Sequence, residues 1–361
     1  MNGQQLTHLE IHGFKSIRKS EMEFGRINIL IGSNGSGKTN LISLFSLLQA
    51  MIEGRMQRYI AQKGGPDAFL HWGRKRTEQM EANFYFGNHG YGFILEPTLD
   101  NRLMIAAERF FENMRGWSPI GGGNMESAWQ EGTHTGIDSY VKPLLEKQRW
   151  RVYHFHDTSD TALVKQMHGI NDNIELAVDA RNLAAFLYRL QQTAASAYRR
   201  IVRTVQMAAP YFEDFILRAN PLQPDTIALE WRAKGSDIPF RASQLSDGTL
   251  RFICLAVLFL QPKELQPETI LLDEPELGLH PYAVQLLASL VKKASLEKQI
   301  IVSTQSVELL NEFQAEDVIV AEYEDTASVF RRLDSEKLKD WLAEDYTLGD
   351  LWKRNILGGR P

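Results

Sequence analysis

The sequence predicts an α/β protein: parallel strands sandwiched by helices, an antiparallel β portion and a largely helical insertion. Three observations carry this. An apolar run at 26–31 (RINILI) is followed, across a glycine-rich turn, by residues at helical spacing. From residue 226 onward, strand-like and helix-like segments alternate, the texture of parallel strands with crossover helices. Between 81 and 110, short β-rich segments (EANFYF, YGFILEP, RLMIAAERFF) are separated by turn residues, which predicts an antiparallel meander.

Taken in order, 9–14 alternates like a half-buried strand and 26–31 is apolar throughout, as a strand covered on both faces would be. Over 39–51, Leu41, Leu44, Phe45 and Leu48 recur at helical spacing. The stretch 116–124 (GWSPIGGGN) is glycine-rich and predicts a mobile loop. Residues 150–155 predict a strand and 156–173 a polar loop. From 181 to 208, Leu183, Phe186, Leu187, Leu190, Ala194, Ala197, Ile201 and Val205 keep a 3.6-residue period, which predicts one long amphipathic helix ending before Pro210. Strands at 226–231, 269–272, 299–304 and 317–320, with helices at 249–260 and 281–293, complete the pattern. The expected division is a discontinuous head, 1–110 with 226–361, interrupted by an insertion or lid at 111–225.

Composition narrows the function classes. The 361 residues are 43% hydrophobic and 24% charged, which excludes wholesale disorder. Forty basic against forty-five acidic side chains give a net charge of −5, so any nucleic-acid contact must come from a local patch. One cysteine, Cys254, excludes an intramolecular disulfide and a multi-cysteine zinc site. The longest apolar run, 252–260, is about half of what spans a bilayer. The start lacks the apolar core of a signal peptide, and a cytoplasmic protein without membrane contact is expected.

Gly32-Ser33-Asn34-Gly35-Ser36-Gly37-Lys38-Thr39, followed by Asn40, satisfies the phosphate-loop pattern G-x-x-x-x-G-K-[ST] between a buried strand and an amphipathic helix. The glycines let backbone N–H groups converge on phosphate oxygens, and the helix N-terminus adds about half a positive charge. Lys38 would bridge β- and γ-phosphates, and the Thr39 hydroxyl would take a Mg²⁺ position. Asp273 and Glu274 end the apolar strand Thr269-Ile270-Leu271-Leu272. A carboxylate there, Asp273, can orient Mg²⁺ or its waters, while Glu274 can polarise an attacking water. Leu245-Ser246-Asp247-Gly248-Thr249 opens an apolar helix and in isolation reads only as an N-cap.

These segments, with Ser303-Thr304-Gln305-Ser306 after the next strand, resemble in order the ATPase heads of the ABC superfamily. They are most similar to its RecF/SMC/OLD-like branch, which includes small stand-alone AAA-family ATPases of bacterial repair and phage-defence systems. The opening Ile11-His12-Gly13-Phe14-Lys15-Ser16 and the ending Leu348-Gly349-Asp350-Leu351-Trp352 share the likeness. The resemblance covers roughly 6–110 and 226–357 and implies ATP with Mg²⁺ as cofactors and an ATP-bound homodimer. In it, Ser246 and Gly248 of one subunit would touch the γ-phosphate held by the other. The 276–280 loop would lie at that interface, with His280 either a participant or a helix cap. Where relatives carry a γ-phosphate-sensing histidine, this chain has Gln305, which donates a hydrogen bond but cannot become charged. Slow turnover is the consequence.

Other clusters admit bland readings. His154 and His156 would share a strand face without a fourth metal ligand. Arg74, Lys75 and Arg76 beside His71 and Trp72, and Arg199, Arg200 and Arg203, either contact phosphates or form solvated faces. The 208 residues from Lys38 to Ser246 leave no room for long coiled-coil arms, and the 88 after Asp273 leave none for a TOPRIM nuclease. The resemblance thus implies an ATP-dependent switch or scaffold for a separately encoded effector, such as a TOPRIM-like nuclease in anti-phage defence. The alternatives are a RecF-like DNA-repair ATPase and a nucleotide-gated scaffold with little hydrolysis.

Overall fold

The computed structural model describes residues 5–128, 150–344 and 346–359, with the side chain of residue 342 also outside the description. By internal contacts the chain divides into two units, Met1–Arg151 with Glu268–Leu271 and Lys298–Pro361, and Val152–Pro267 with Leu272–Glu297.

The first unit holds an antiparallel sheet in the order β2-β1-β4-β5-β6-β7. Its strands are β1 (His8–Phe14), β2 (Ile17–Glu23), β4 (Met80–Phe86), β5 (His89–Pro97), β6 (Leu103–Glu112) and β7 (Gly116–Gly121). The expected meander is therefore present and is extended on both sides. β7 is a correction: the glycine-rich stretch pairs with β6 instead of forming a mobile loop. Trp117 explains it, because its ring meets Phe111 and Tyr85 and lies 4.6 Å beneath the Arg109 guanidinium. Pro119 is tolerated because β7 ends the sheet.

The second sheet has the order β18-β17-β3-β16-β15-β8. It comprises β3 (Ile27–Ile31), β8 (Trp150–Tyr153), β15 (Thr269–Asp273), β16 (Gln299–Ser303), β17 (Val318–Glu324) and β18 (Ala327–Arg332), and the unit boundary falls inside β8 and β15. β3 runs parallel to both β16 and β17, as its unbroken apolar run requires. The helix α1 (Lys38–Ile52) follows β3, and ten of its fifteen residues are buried, so it lies covered on most sides. Phe45 of α1 meets Phe84 edge-on at 5.8 Å and stacks on Trp150 at 5.9 Å. Such pairs add about 0.5–1.5 kcal/mol each beyond their burial. The short helix α2 (Met56–Gln62) completes this part of the unit.

In the second unit the single long helix expected over 181–208 is two, α3 (Leu183–Thr193) and α4 (Ala195–Ala208). Ala194 (φ −141°) lies between them, and the Thr193 hydroxyl donates to the Arg189 carbonyl, a back-bond that bends helices. The apolar period survives because Leu190 and Ala197 still stand seven residues apart. Around the helices run the short strands β9 (His168–Gly169), β10 (Phe212–Ile216), β11 (Ala219–Asn220), β12 (Gln223–Ile227), β13 (Glu230–Ala233) and β14 (Pro239–Arg241). The strand expected at 226–231 is thus parts of two, β12 and β13.

The helix α5 (Asp247–Leu260) is buried from Leu250 to Leu260, and α6 (Pro281–Ala294) packs in the same unit. Even Arg251 is buried, its guanidinium donating to the carbonyls of Phe155 and His156. Burial pushes the Cys254 thiol up to about 12. Since the thiolate is the reactive form, iodoacetamide at pH 8 is expected to leave Cys254 unmodified in the folded protein and to label it after unfolding. Mass spectrometry checks this, and rapid native labelling would contradict the burial.

At the C-terminal end of the first unit lie α7 (Val307–Leu310), α8 (Ser335–Ala343) and α9 (Leu348–Lys353). Thr347 and Asp350 form a capping box on α9. Gly349 is required by close packing: its N–H donates to Asn311, and a Cβ there would lie 2.4 Å from Val307 Cγ1. Leu351 and Trp352 are buried, so this ending packs on its own unit. Among the described residues no helix is long and apolar enough to cross a membrane.

Candidate nucleotide site

β3 ends at Ile31 and the chain turns at once into the glycine loop. Gly32 has φ 152°, and a Cβ there would stand 2.3 Å from the Ala321 carbonyl oxygen of β17. Gly37 has φ 106°, and its Cβ would stand 2.2 Å from Ser328 Oγ. The loop is therefore pressed against β17 and β18, and only glycine fits at either end. Gly35, in contrast, faces open space.

Three features give this loop a donor set suited to phosphate. First, α1 begins after Gly37 with no side-chain cap and no acidic residue in its first turn, so its N-terminal N–H groups and partial positive charge are available to an anion. Second, Lys38 is only 4% exposed, and its ammonium donates to the carbonyls of Gly32 (2.6 Å) and Ser33 (2.9 Å), which aims it back over the loop. Third, the Ser36 hydroxyl is buried without a hydrogen-bond partner among the described residues, an arrangement that costs free energy until an acceptor or donor arrives. A polyphosphate fits this donor set. Thr39 is exposed at the first turn of α1, where its hydroxyl would serve a Mg²⁺ ion bound to those phosphates.

Residues outside the motif hold the loop. The Asn40 side-chain amide donates to Ser16 Oγ (2.7 Å), Ser328 Oγ donates to the same atom (2.7 Å), and Ser328 N–H donates to the Ser16 carbonyl. Asn40 thus braces the loop through the β1–β2 turn, and the Lys15-Ser16 pair acquires a structural role. Lys15 beside it has φ 48° and lies over the rings of Phe14 and Phe69. Burial, with a smaller contribution from Lys63, lowers its ammonium to about 8. Ser328 belongs to no recognisable motif, and no sequence signal points to it.

Gln305 follows β16 in the same unit. Ser303 pairs with Leu30 in parallel register, so Gln305 leaves its strand at the end where the glycine loop leaves β3. Ligands of parallel sheets bind outside these carboxyl ends. Thr304 N–H donates to the Leu30 carbonyl, and Ser306 caps α7 through Leu309 N–H, which fixes the turn on both sides of Gln305.

In the other unit, Asp273 is the last residue of β15 and Glu274 follows with φ 41°. A left-handed glutamate directly before Pro275 is a strained conformation of the kind that accumulates at functional turns. Ser246 is the N-cap of α5, accepting from Thr249 N–H at 3.2 Å. Gly248 lies against the 276–280 loop, and a Cβ on it would be 2.2 Å from the Gly278 carbonyl oxygen. His280 caps α6, its Nδ1 accepting from Tyr282 N–H at 3.3 Å.

The weaker clusters separate. Arg74 is occupied by Asp67 and Asn101, and its guanidinium holds the Asp67 carboxyl below the usual range. Among the described residues no group of three or more acidic, histidine or cysteine side chains could hold a metal, so His154 and His156 are not a metal cluster there. Trp72, which the sequence places beside the basic cluster at 74–76, is 61% exposed.

Residues 134–311 match the protein family described as "AAA domain, putative AbiEii toxin, Type IV TA system". Solved structures share the architecture. The SMC head bound to the C-winged helix domain of ScpA has TM-score 0.63 at 18% identity, covering 92% of this chain and 99% of that one. The Pyrococcus furiosus Smc head with an extended coiled coil, bound to the C-terminal domain of ScpA, has TM-score 0.62 at 17% identity, with coverages of 94% and 99%. The Smc head with a coiled coil and joint from Pyrococcus yayanosii has TM-score 0.54 at 15% identity, with coverages of 94% and 99%. In fold, the chain is similar to these Smc head domains.

Proposed function

We propose that the protein is a slow ATPase that dimerises head to head around ATP and serves as a switch or scaffold for a separately encoded effector. The observation that carries it is the glycine loop, with its uncapped helix, the buried Lys38 and the unpartnered Ser36 hydroxyl. Lys38 stabilises the charge that grows on the γ-phosphate as its bond to the β-phosphate breaks. Glu274 accepts a proton from the attacking water. Mg²⁺, held by Thr39 and Asp273, would neutralise the phosphate oxygens. Ser246 and the first turn of α5, with Gly248, bind the γ-phosphate from the partner subunit. Gln305 donates a hydrogen bond without carrying charge, which favours a long-lived ATP state over rapid cycling. The ScpA-bound heads support a protein partner in the same general role, and anti-phage defence is the setting that the family resemblance favours.

Lys38→Ala is expected to weaken ATP binding about a hundredfold or more, since charge-assisted bonds to phosphate are among the strong ones. Isothermal titration with ATP and Mg²⁺ measures it. Unchanged affinity in a folded variant would remove the glycine loop from the function.

A further inference from the structure

The start of α5 carries a chain of three hydroxyls, all within the second unit. Ser246 Oγ and Thr249 Oγ1 are 2.8 Å apart, and Thr249 Oγ1 is 3.0 Å from the phenolic oxygen of Tyr211. Ser246 Oγ also accepts from Thr249 N–H at 3.2 Å. Tyr211 reaches this turn from outside α5, between α4 and β10, and belongs to none of the motifs that the sequence displays.

Tyr211 is 45% exposed, yet it is held in place. Its carbonyl accepts from Lys234 N–H at 2.9 Å, and its ring meets the buried Trp231 edge-on at 5.7 Å. Trp231 is fixed in turn by stacking on Phe240 and by its indole N–H, which donates to the Arg241 carbonyl. A packed aromatic cluster thus delivers the phenol to Thr249.

Each hydroxyl has one proton and two lone pairs. Facing an anion, the chain has one consistent arrangement: Tyr211 donates to Thr249, Thr249 donates to Ser246, and Ser246 donates outward. Thr249 N–H and O–H then fill both lone pairs of Ser246 Oγ, so the serine has only its own proton to offer. Hydrogen bonds aligned head to tail polarise one another, which strengthens the last donor. A phenol, more acidic than an alcohol, suits the donor at the far end. The neighbouring Asp247 carboxylate pairs with the largely buried Lys165 at 3.6 Å, which offsets a negative charge on the same helix turn.

We infer that Tyr211 and Thr249 are positioning residues that direct the Ser246 proton toward the γ-phosphate held by the partner subunit. The inference rests on the head-to-head dimer proposed above and deepens it. It places part of the control of that dimer in the segment between α4 and β10, outside the nucleotide motifs.

Equilibrium sedimentation in ATP and Mg²⁺ tests it, on Glu274→Gln and on the same chain carrying Tyr211→Phe, Thr249→Val, Thr249→Ser or Ser246→Ala. Tyr211→Phe keeps the ring on Trp231 and removes only the hydroxyl. It is expected to weaken the dimer at least about fivefold, the worth of one neutral hydrogen bond, while ATP affinity by calorimetry stays within about twofold. Thr249→Val should weaken the dimer more, and Thr249→Ser, which restores the hydroxyl, should recover most of it. Added to Ser246→Ala, Tyr211→Phe should cost less than about twofold more, since no proton is left to direct. A dimer indifferent to Tyr211→Phe and Thr249→Val would overturn the hydroxyl chain alone. Equal weakening by Thr249→Val and Thr249→Ser, or a full further loss in the Ser246→Ala background, would also overturn it, by reducing both residues to supports for the helix. Failure of Glu274→Gln itself to dimerise in ATP would overturn the head-to-head function and this inference together.

Discussion

Glu274→Gln is expected to slow ATP turnover by at least about a hundredfold while leaving ATP affinity within about twofold. General-base contributions are of this size, and the amide keeps the shape of the side chain while losing its proton affinity. The local backbone supports the assignment. β15 delivers Asp273 at its end, and the next residue is turned into a left-handed conformation (φ 41°) against the preference of a residue before proline. Such strain persists only where the surroundings over-determine it. The oligomeric consequence follows from the chemistry. Glu274→Gln should bind ATP and discharge it only slowly, so the proposed ATP dimer should accumulate; Lys38→Ala should remain monomeric in ATP. Phosphate release and light scattering after size exclusion measure the two effects. Turnover within about threefold of wild type would transfer the base role elsewhere, and equal mass for the two variants in ATP would contradict the switch.

The parts of the fold that local chemistry specifies were legible in the sequence. A short apolar run rich in isoleucine such as INILI, lying between Gly25 and Gly32, fits a strand covered on both faces. A glycine loop between such a strand and a helix has one common use. What was not legible depends on partners distant in sequence. β2 reads as polar because four of its seven residues face solvent, and it is a strand only because β1 lies beside it. The Ser16–Ser328 contact spans 312 residues, and neither serine carries a local signal of it. The bend at Ala194 was hidden because a one-residue kink leaves the apolar spacing intact. At the glycine loop the motif supplied the donors, while the bracing that holds them came from Ser16 and Ser328. Asn40, expected as a nucleotide contact, has its side-chain amide turned to that bracing, an arrangement visible only in three dimensions.

Gly248→Ala, introduced into Glu274→Gln, is expected to abolish the ATP dimer while leaving ATP bound to the monomer with an affinity within about threefold. Two effects oppose each other. Alanine is favoured over glycine inside a helix by about 1 kcal/mol, and Gly248 lies in the first turn of α5. Against this, the new Cβ would stand 2.2 Å from the Gly278 carbonyl oxygen and 3.1 Å from its carbon. Overpacking of this kind costs about 1–3 kcal/mol. Both obstacles are backbone atoms, so no side-chain rotamer relieves the contact. Gly278 itself has φ 72°, which limits how its peptide can yield. The clash therefore prevails, and either the N-terminus of α5 or the 276–280 loop must shift. A shift of α5 carries Ser246 with it, because the Ser246 hydroxyl is fixed to Thr249 N–H at 3.2 Å. The phosphate contacts proposed for the partner subunit then lose their alignment, while the glycine loop, with its own braces at Ser16 and Ser328, is untouched. Light scattering in ATP gives the dimer fraction, and titration calorimetry gives the affinity. A double variant that dimerises as well as Glu274→Gln alone would show that the first turn of α5 takes no part in the interface.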